Sequence, residues 1–495
     1  VEARSVESGA RERMANESAV TEPRATKSAL EESRETEPRA TRPVAGESGA
    51  LSPREGRLRT ALSLRHPFDR EILALAIPAL GTLAADPLVS LVDTAFVGRL
   101  GVVPLAALGV NVSVFGLAFL VFNFLAYGTT PMVARAVGAG DRARAGRLAV
   151  EALTLAVVAG TVALAILQLL AIPIVQAMGA SGELVAPAVE YLRIRALAGP
   201  AVLIITASNG IFRGWQDTRT PFVVALGLNA VNLVLDPILI FGAGWGLRGA
   251  AVATVAAQWA GAVAFLWLIL GSRREALGVR PILPRPRDLL PFLSVGGALV
   301  TRTFSLVGTL TLATAVATRV GTVDVAAHLV ASQLWLMLAL LVDALAVAGQ
   351  AIVGRLRGED RPGDVVRAAD RLLAWGLGVG ILLALGFLAL APWLPRLFTD
   401  DPAAIAATWT VLPFVIAMQP LNALVFVWDG IYIGAEAFRF LAAQMVAAAL
   451  SACAVLLLVV PMGWGLQGVW WGIVTLMFVR AGTLGIRYGR VFRLP

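Results

Sequence analysis

Cysteine and histidine are nearly absent from this chain: one cysteine, Cys453, and two histidines, His66 and His328, in 495 residues. A lone cysteine in an apolar run excludes a disulfide framework or a cysteine metal site. Two histidines exclude most histidine-built metal centres and proton relays. Charge is scarce as well, 15% of residues against 58% hydrophobic, with a mean hydropathy of +0.77. A soluble core of this size would need far more charged surface. What is present instead is a succession of long apolar runs separated by short loops, and the formal charge of +8 comes almost wholly from arginine in those loops.

Residues 1–65 stand apart. They are rich in Glu, Arg, Ser and Ala, and Glu17–Thr26 (ESAVTEPRAT) returns nearly unchanged as Glu32–Thr41 (ESRETEPRAT). Such a segment buries too little apolar area to offset its ordering entropy, so it reads as a disordered tail. It has no apolar stretch before a cleavage site, so it does not read as a secretory signal, and Met14 is a candidate start.

The remainder holds runs long enough to cross about 30 Å of hydrocarbon at about 1.5 Å per residue. The expected spans are 72–97, 106–131, 148–172, 188–212, 221–242, 248–270, 289–317, 325–352, 373–393, 405–432, 439–460 and 465–484. Loops after the even-numbered spans hold about 17 arginines, among them Arg135, Arg142, Arg144, Arg147, Arg355, Arg357 and Arg361. The alternate loops hold Arg99, Arg248, Arg319 and Arg396. By the positive-inside rule both termini are expected in the cytoplasm of a multi-pass inner or plasma membrane protein. This bias, and not a nucleic-acid partner, accounts for the basic charge.

The sequence also repeats itself. Arg99–Val110 (RLGVVPLAALGV) aligns with Arg319–Val330 (RVGTVDVAAHLV), Gly210–Gly214 (GIFRG) with Gly430–Gly434 (GIYIG), and Gly244–Gly249 (GWGLRG) with Gly463–Gly468 (GWGLQG), at an offset of about 220. Six helices per half give two parallel repeats, an architecture that handles substrate between its halves. The expected organisation is a first six-helix bundle over 66–275, a linker over 276–288, a second bundle over 289–485 and a short tail over 486–495.

Acids inside the spans cost about 2.5–3.5 kcal/mol each and call for a reason. Span one carries Asp86 and Asp93, seven apart and so on one helix face; span five carries Asn229, Asn232 and Asp236 on one face. Pro87 and Pro237 each follow an acid, where they remove a backbone donor and free carbonyls nearby. Carboxyls so placed can take a proton from outside and release it when their surroundings change, or hold Na⁺ with amide oxygens; the bland alternative is a neutral carboxyl bonding a neighbouring helix. At the repeat offset Asp93 and Asp236 meet about Ala313 and Leu456, so these acids belong to the first half alone. Conversely, Asn123 aligns with Asp343 and Asn209 with Asp429. Asn123, Asp343 and Asp429 are candidates for the substrate cavity, with proton coupling or plain helix pairing as alternatives. His328 reads as a satisfied interface residue. No set of metal ligands and no nucleophile triad suggests an enzyme, no cofactor beyond the coupling ion is expected, and no intramembrane arginine cluster is apparent. The last point counts against a lipid-linked precursor flippase with its basic cavity.

These acids lie in recognisable motifs. Ala85–Gly98 (ADPLVSLVDTAFVG) resembles the first-helix signature of the DinF-like branch of the multidrug and toxic compound extrusion (MATE) family. Asn232–Pro237 (NLVLDP), Gly249–Thr254 (GAAVAT), Ser208–Gly214 (SNGIFRG), Gln216–Pro221 (QDTRTP) and Asp429–Gly434 (DGIYIG) are similar to its other patterns, over about residues 68–485. The resemblance implies an all-α polytopic protein of twelve transmembrane helices, two six-helix bundles in a V, alternating between inward-open and outward-open states. It implies cation antiport, usually of protons, by a monomer exporting small amphipathic or cationic organic compounds. The family's coupling residues fall on Asp93, Asn209, Asn232, Asp236 and Thr254. Asp86 resembles what plant members carry, some of which export organic acids such as citrate.

Overall fold

The structure, a computed structural model, describes residues 66–280 and 282–491; the tail read over 1–65 lies outside the described residues. Sixteen α-helices make up the described chain. They are α1 (Asp69–Gly98), α2 (Val102–Leu120), α3 (Phe124–Gly138), α4 (Arg142–Leu169), the short α5 (Ala171–Ala177), α6 (Val185–Ala196), α7 (Gly199–Gly214), α8 (Arg219–Pro237) and α9 (Gly246–Leu266) in the first half. The second half holds α10 (Leu290–Val320), α11 (Thr322–Gly358), α12 (Pro362–Leu390), α13 (Pro402–Ala417), α14 (Gln419–Gly434), α15 (Phe438–Val459) and α16 (Gly465–Val491). Helices satisfy every interior backbone group within the segment, which is what hydrocarbon demands.

Ten of the expected spans are single helical runs, and the remaining two are bent pairs: Gly182–Ala196 with Gly199–Gly214 at 48°, and Pro402–Ala417 with Gln419–Gly434 at 51°. These are the fourth and tenth spans, equivalent under the repeat. Their second segments begin with Pro200 and Pro420, 220 apart, each at a helix start where a missing N–H costs nothing. Span two runs through a tight turn at Val121–Asn123, and α8 passes after Pro237 into a wide π turn over Ile238–Gly242.

The repeat extends to individual atomic contacts. A Cβ on Gly160 would meet Pro200 Cα at 2.5 Å, and one on Gly380 would meet Pro420 Cα at 2.8 Å. Gly210 lies on Ala126 as Gly430 lies on Ala346, and Gly214 on Val133 as Gly434 on Val353. Gly-mediated approach of this kind lets membrane helices gain dispersion and close packing where no hydrophobic driving force separates them.

The halves meet at their arginine-rich ends. Glycine 138 on α3 lies against the Arg355 carbonyl of α11, and Gly358 lies against the Arg135 carbonyl; hypothetical Cβ atoms there would sit 2.0 and 2.1 Å from the oxygens. Arg135 pairs with Glu436 at 2.8 Å, and Gln216 donates to the Ala351 carbonyl at 2.9 Å. Gln216 and Glu436 are themselves repeat equivalents, both held at positive φ (60° and 57°) in the corner after α7 and after α14. The start of α1 is fastened to the second half as well: Asp69 accepts from Arg371 at 2.5 Å and from Trp375 at 2.8 Å, and Glu71 pairs with Arg355 at 2.6 Å.

Candidate functional site

Helices α1 and α8 pack side by side in the first half. Across that contact the carboxyls of Asp93, half-buried, and Asp236, buried, interact at short range. Apart from one another, both Asp236 oxygens and Asp93 Oδ1 are buried without a hydrogen-bond partner among the described residues. One turn before Asp236, Asn232 is buried with its amide oxygen and nitrogen both unpartnered, and the Asn229 amide nitrogen is likewise. Leaving such groups unsatisfied costs about 1–3 kcal/mol each, so a cluster of them is not what helix packing alone selects. Two carboxyls and amide oxygens form a donor set suited to a proton or a hard monovalent cation. Among the described residues no group of three or more His, Cys, Asp or Glu side chains gathers for a metal.

Helix α6 supplies two residues that the sequence reading passed over. The Tyr191 hydroxyl approaches Thr254 on α9 and lies in electrostatic reach of both acids. Arg195 faces Asp93 from the same helix and stacks over Phe115 at 5.1 Å. The bend is the reason they were missed: a straight helix over 188–212 gives no hint that the segment up to Ala196 lies at 48° to the one from Gly199. Asn209 lies beyond the bend on α7, its Oδ1 buried and unpartnered, and no described contact joins it to the acid pair. Thr254 also donates to the Ala250 carbonyl at 2.9 Å. Asp86 lies on α1; its side chain is outside the described part.

The second half holds a cluster of a different kind, and it corrects the reading that no intramembrane arginine cluster exists. Asp429 Oδ2 accepts from Arg302 on α10 at 2.5 Å and from Arg480 on α16, with all three residues buried. Arg480 stacks over Phe426 at 5.6 Å. Half-buried Asp343 on α11 faces Arg302, Asp429, Arg480 and Arg213. The first half contributes Arg213 and Tyr127 to the same group. Arg213 falls outside a span ending at 212, among the loop arginines, whereas α7 runs on to Gly214 and buries it. Single charged residues diluted in apolar runs of α10 and α16 are easily passed over until tertiary packing brings them together.

At the repeat offset the equivalents of Arg302, Arg480, Asp429 and Asp343 are Thr82, Gly261, Asn209 and Asn123. The first half thus builds the same frame without these charges. Asn123 is exposed at the α2–α3 turn, four residues before Tyr127. His328 is buried, with Nε2 at 3.2 Å from Thr314 Oγ1 and its ring edge-on to Trp470, while Nδ1 has no hydrogen-bond partner among the described residues, so the ring is satisfied on one side alone.

The family model MatE matches this chain twice, over residues 78–238 and 299–461, once in each half. The chain belongs to the MatE family. Among relatives of this MatE protein, DETOXIFICATION 44, chloroplastic, of Arabidopsis thaliana is 36% identical, covering 85% of this chain and 82% of the relative. DNA damage-inducible protein F of Escherichia coli (strain K12) is 28% identical over 86% of this chain and 93% of its own. A solved structure described as MATE in the bent conformation superposes with a TM-score of 0.79 at 25% identity, covering 85% and 94% of the two chains. The MatE chain is therefore a multi-pass, all-α membrane transporter whose relatives include detoxification and multidrug efflux proteins.

Proposed function

We propose that this MatE protein is a secondary active exporter driven by cation antiport, with protons the coupling ion and the Asp93–Asp236 pair the place where the proton is carried. The observation that supports this reading is the short-range pair of carboxyls beside Asn232, in which Asp93 Oδ1 and both Asp236 oxygens are buried with no partner outside the pair among the described residues. Two adjacent carboxylates out of water repel one another, so the pair favours holding one proton between them. Occupancy of the pair sets the charge at the α1–α8 contact and hence how α1 sits against its neighbours. Pro78 and Pro87 both lie inside α1, where each weakens the hydrogen-bond ladder and lets the helix yield. Tyr191 and Thr254 close the site from α6 and α9, and Arg195 supplies a positive charge opposite Asp93. We place the protein in the inner or plasma membrane, as a monomer with its arginine-rich ends in the cytoplasm.

Asp93→Asn and Asp236→Asn test the reading in proteoliposomes with an imposed proton or sodium gradient. Each variant is expected to lose gradient-driven efflux while still inserting and purifying as a monodisperse protein. Full proton-driven efflux in Asp93→Asn would overturn the assignment, and dependence on a sodium gradient alone would replace the proton with Na⁺.

A further inference from the structure

We propose that a cavity at the arginine-rich end of the second half binds the phosphodiester headgroup of an anionic phospholipid. The cavity lies between the first turns of α10, the corner after α14, the start of α15 and the last turns of α16, with a volume of about 580 Å³. The export reading plays no part in this inference, which needs only that the chain spans a membrane.

The first half fills the equivalent place with a side chain of its own. Asp217 stands in the corner before α8, and its carboxylate accepts from the Thr220 N–H at 2.9 Å, from the Thr220 hydroxyl at 2.6 Å and from Arg273 at 3.0 Å. One internal anion thus serves a helix start and a guanidinium together. At an offset of 220 the second half carries Ala437 for Asp217 and Phe440 for Thr220. No side chain caps α15, whose first residues, Phe438, Arg439 and Phe440, line the cavity. The unpaired N–H groups of an uncapped helix start favour an anion.

The cations are in place as well. Arg439 and Arg487 both line the cavity, and neither has an ion pair among the described residues. Arg487 stacks over Phe440 at 4.1 Å, which fixes its plane, and its Nε is buried with no hydrogen-bond partner among the described residues. The acid in the wall, Glu436, is engaged by Arg135 at 2.8 Å, so it leaves both guanidiniums uncompensated. Guanidinium forks match phosphate oxygens with paired hydrogen bonds.

A small free anion would leave the rest of the cavity unused. Val295, Ala298, Phe438, Phe440 and Ala443 make its walls largely apolar. From Ala443 an exposed stripe continues along α15 through Ala447, Leu450, Ala454 and Leu457, spaced as one helix face. A phosphate held between Arg439 and Arg487 lays its acyl chains along that stripe, in the hydrocarbon that α15 crosses. Basic pockets between spans suit anionic headgroups in this way.

The test uses the purified full-length chain in detergent micelles, titrated with phosphatidylglycerol, phosphatidylcholine, glycerol 3-phosphate and inorganic phosphate. Native mass spectrometry counts bound lipid, and thermal shift reports all four probes. Phosphatidylglycerol is expected to bind at least tenfold tighter than the other three and to raise the melting temperature. Arg487→Gln is expected to weaken its binding at least tenfold, whereas Arg144→Gln, at an exposed arginine near the start of α4, should leave it unchanged. Ala437→Asp gives the second half the carboxylate that the first half uses. It is expected to abolish phosphatidylglycerol binding without lowering the melting temperature of the lipid-free protein, a result that misfolding would not give. Phosphatidylcholine as tight as phosphatidylglycerol, full lipid affinity in Ala437→Asp, or equal losses in Arg144→Gln and Arg487→Gln would each overturn the proposal. Glycerol 3-phosphate or inorganic phosphate as tight as the lipid would overturn it too, by making a free phosphate compound the occupant.

Discussion

A single methyl group at the junction of the halves should shift the conformational balance of this transporter. Gly138→Ala would place a Cβ 2.0 Å from the Arg355 carbonyl oxygen and 2.9 Å from its carbon, and Gly358→Ala one 2.1 Å from the Arg135 carbonyl oxygen. Ordinary carbon contacts lie at about 3.5–4.0 Å, so α3 and α11 must part by roughly 1 Å or more at either site. The obstructing atoms are backbone, so no rotamer change relieves the clash. Overpacking of this kind costs about 1–3 kcal/mol in a core that cannot move. On the export reading proposed above, the two helices belong to halves that separate, so the penalty falls on the state closed at the arginine-rich face. The same 1–3 kcal/mol corresponds to a population shift of about 5- to 150-fold. Separation also strains the Arg135–Glu436 and Arg355–Glu71 pairs, at 2.8 and 2.6 Å, which adds to the shift in the same direction. Spin labels on exposed Arg144 and Arg367, introduced as cysteines in a Cys453→Ala background, report the separation by double electron–electron resonance. The alanine variants are expected to move the distance distribution toward longer values, whereas Gly109→Ala, whose Cβ meets nothing within 4 Å, should not. If both junction variants kept the parent distribution, the reasoning from these contacts would be refuted.

Other consequences are testable with less apparatus. Asp429→Leu strands two buried guanidiniums and should cost about 3–5 kcal/mol, read as a large drop in melting temperature by fluorescence-detected size-exclusion chromatography; a drop no larger than that of Asp429→Asn would contradict it. His66 lies just before α1, and burial, with Arg371 next in order, pushes its pKa below the ordinary value. Its Nδ1 accepts from the Phe68 N–H at 3.3 Å, which requires that nitrogen unprotonated. The unfolded chain then binds the extra proton more readily, so stability falls as pH drops below about 6.5. His66→Gln should flatten that dependence in a thermal-shift series from pH 8 to 5, and an unchanged slope would show that other groups carry it.

Hydropathy and loop charge made the twelve spans legible because each apolar run must be long enough to cross hydrocarbon, and the repeat located both halves from a few glycine-rich motifs. Asp93, Asn232 and Asp236 were legible for the same reason: acids and amides stand out in an apolar helix. Tyr191 and Arg195 were not, since their relevance depends on a 48° bend between Ala196 and Gly199 that no local pattern announces. The Arg302–Asp429–Arg480 group was hidden by distance along the chain, 127 residues between the first two and 51 between the last two. Hydropathy averages over neighbours in sequence, whereas these charges find their partners only across helices.

The matched contacts of Gly138 with Arg355 and Gly358 with Arg135 mean that the junction looks the same from either side. On the export reading proposed above, a push arriving through α3 or through α11 meets the same pair of backbone contacts, so either half can open this junction against the other.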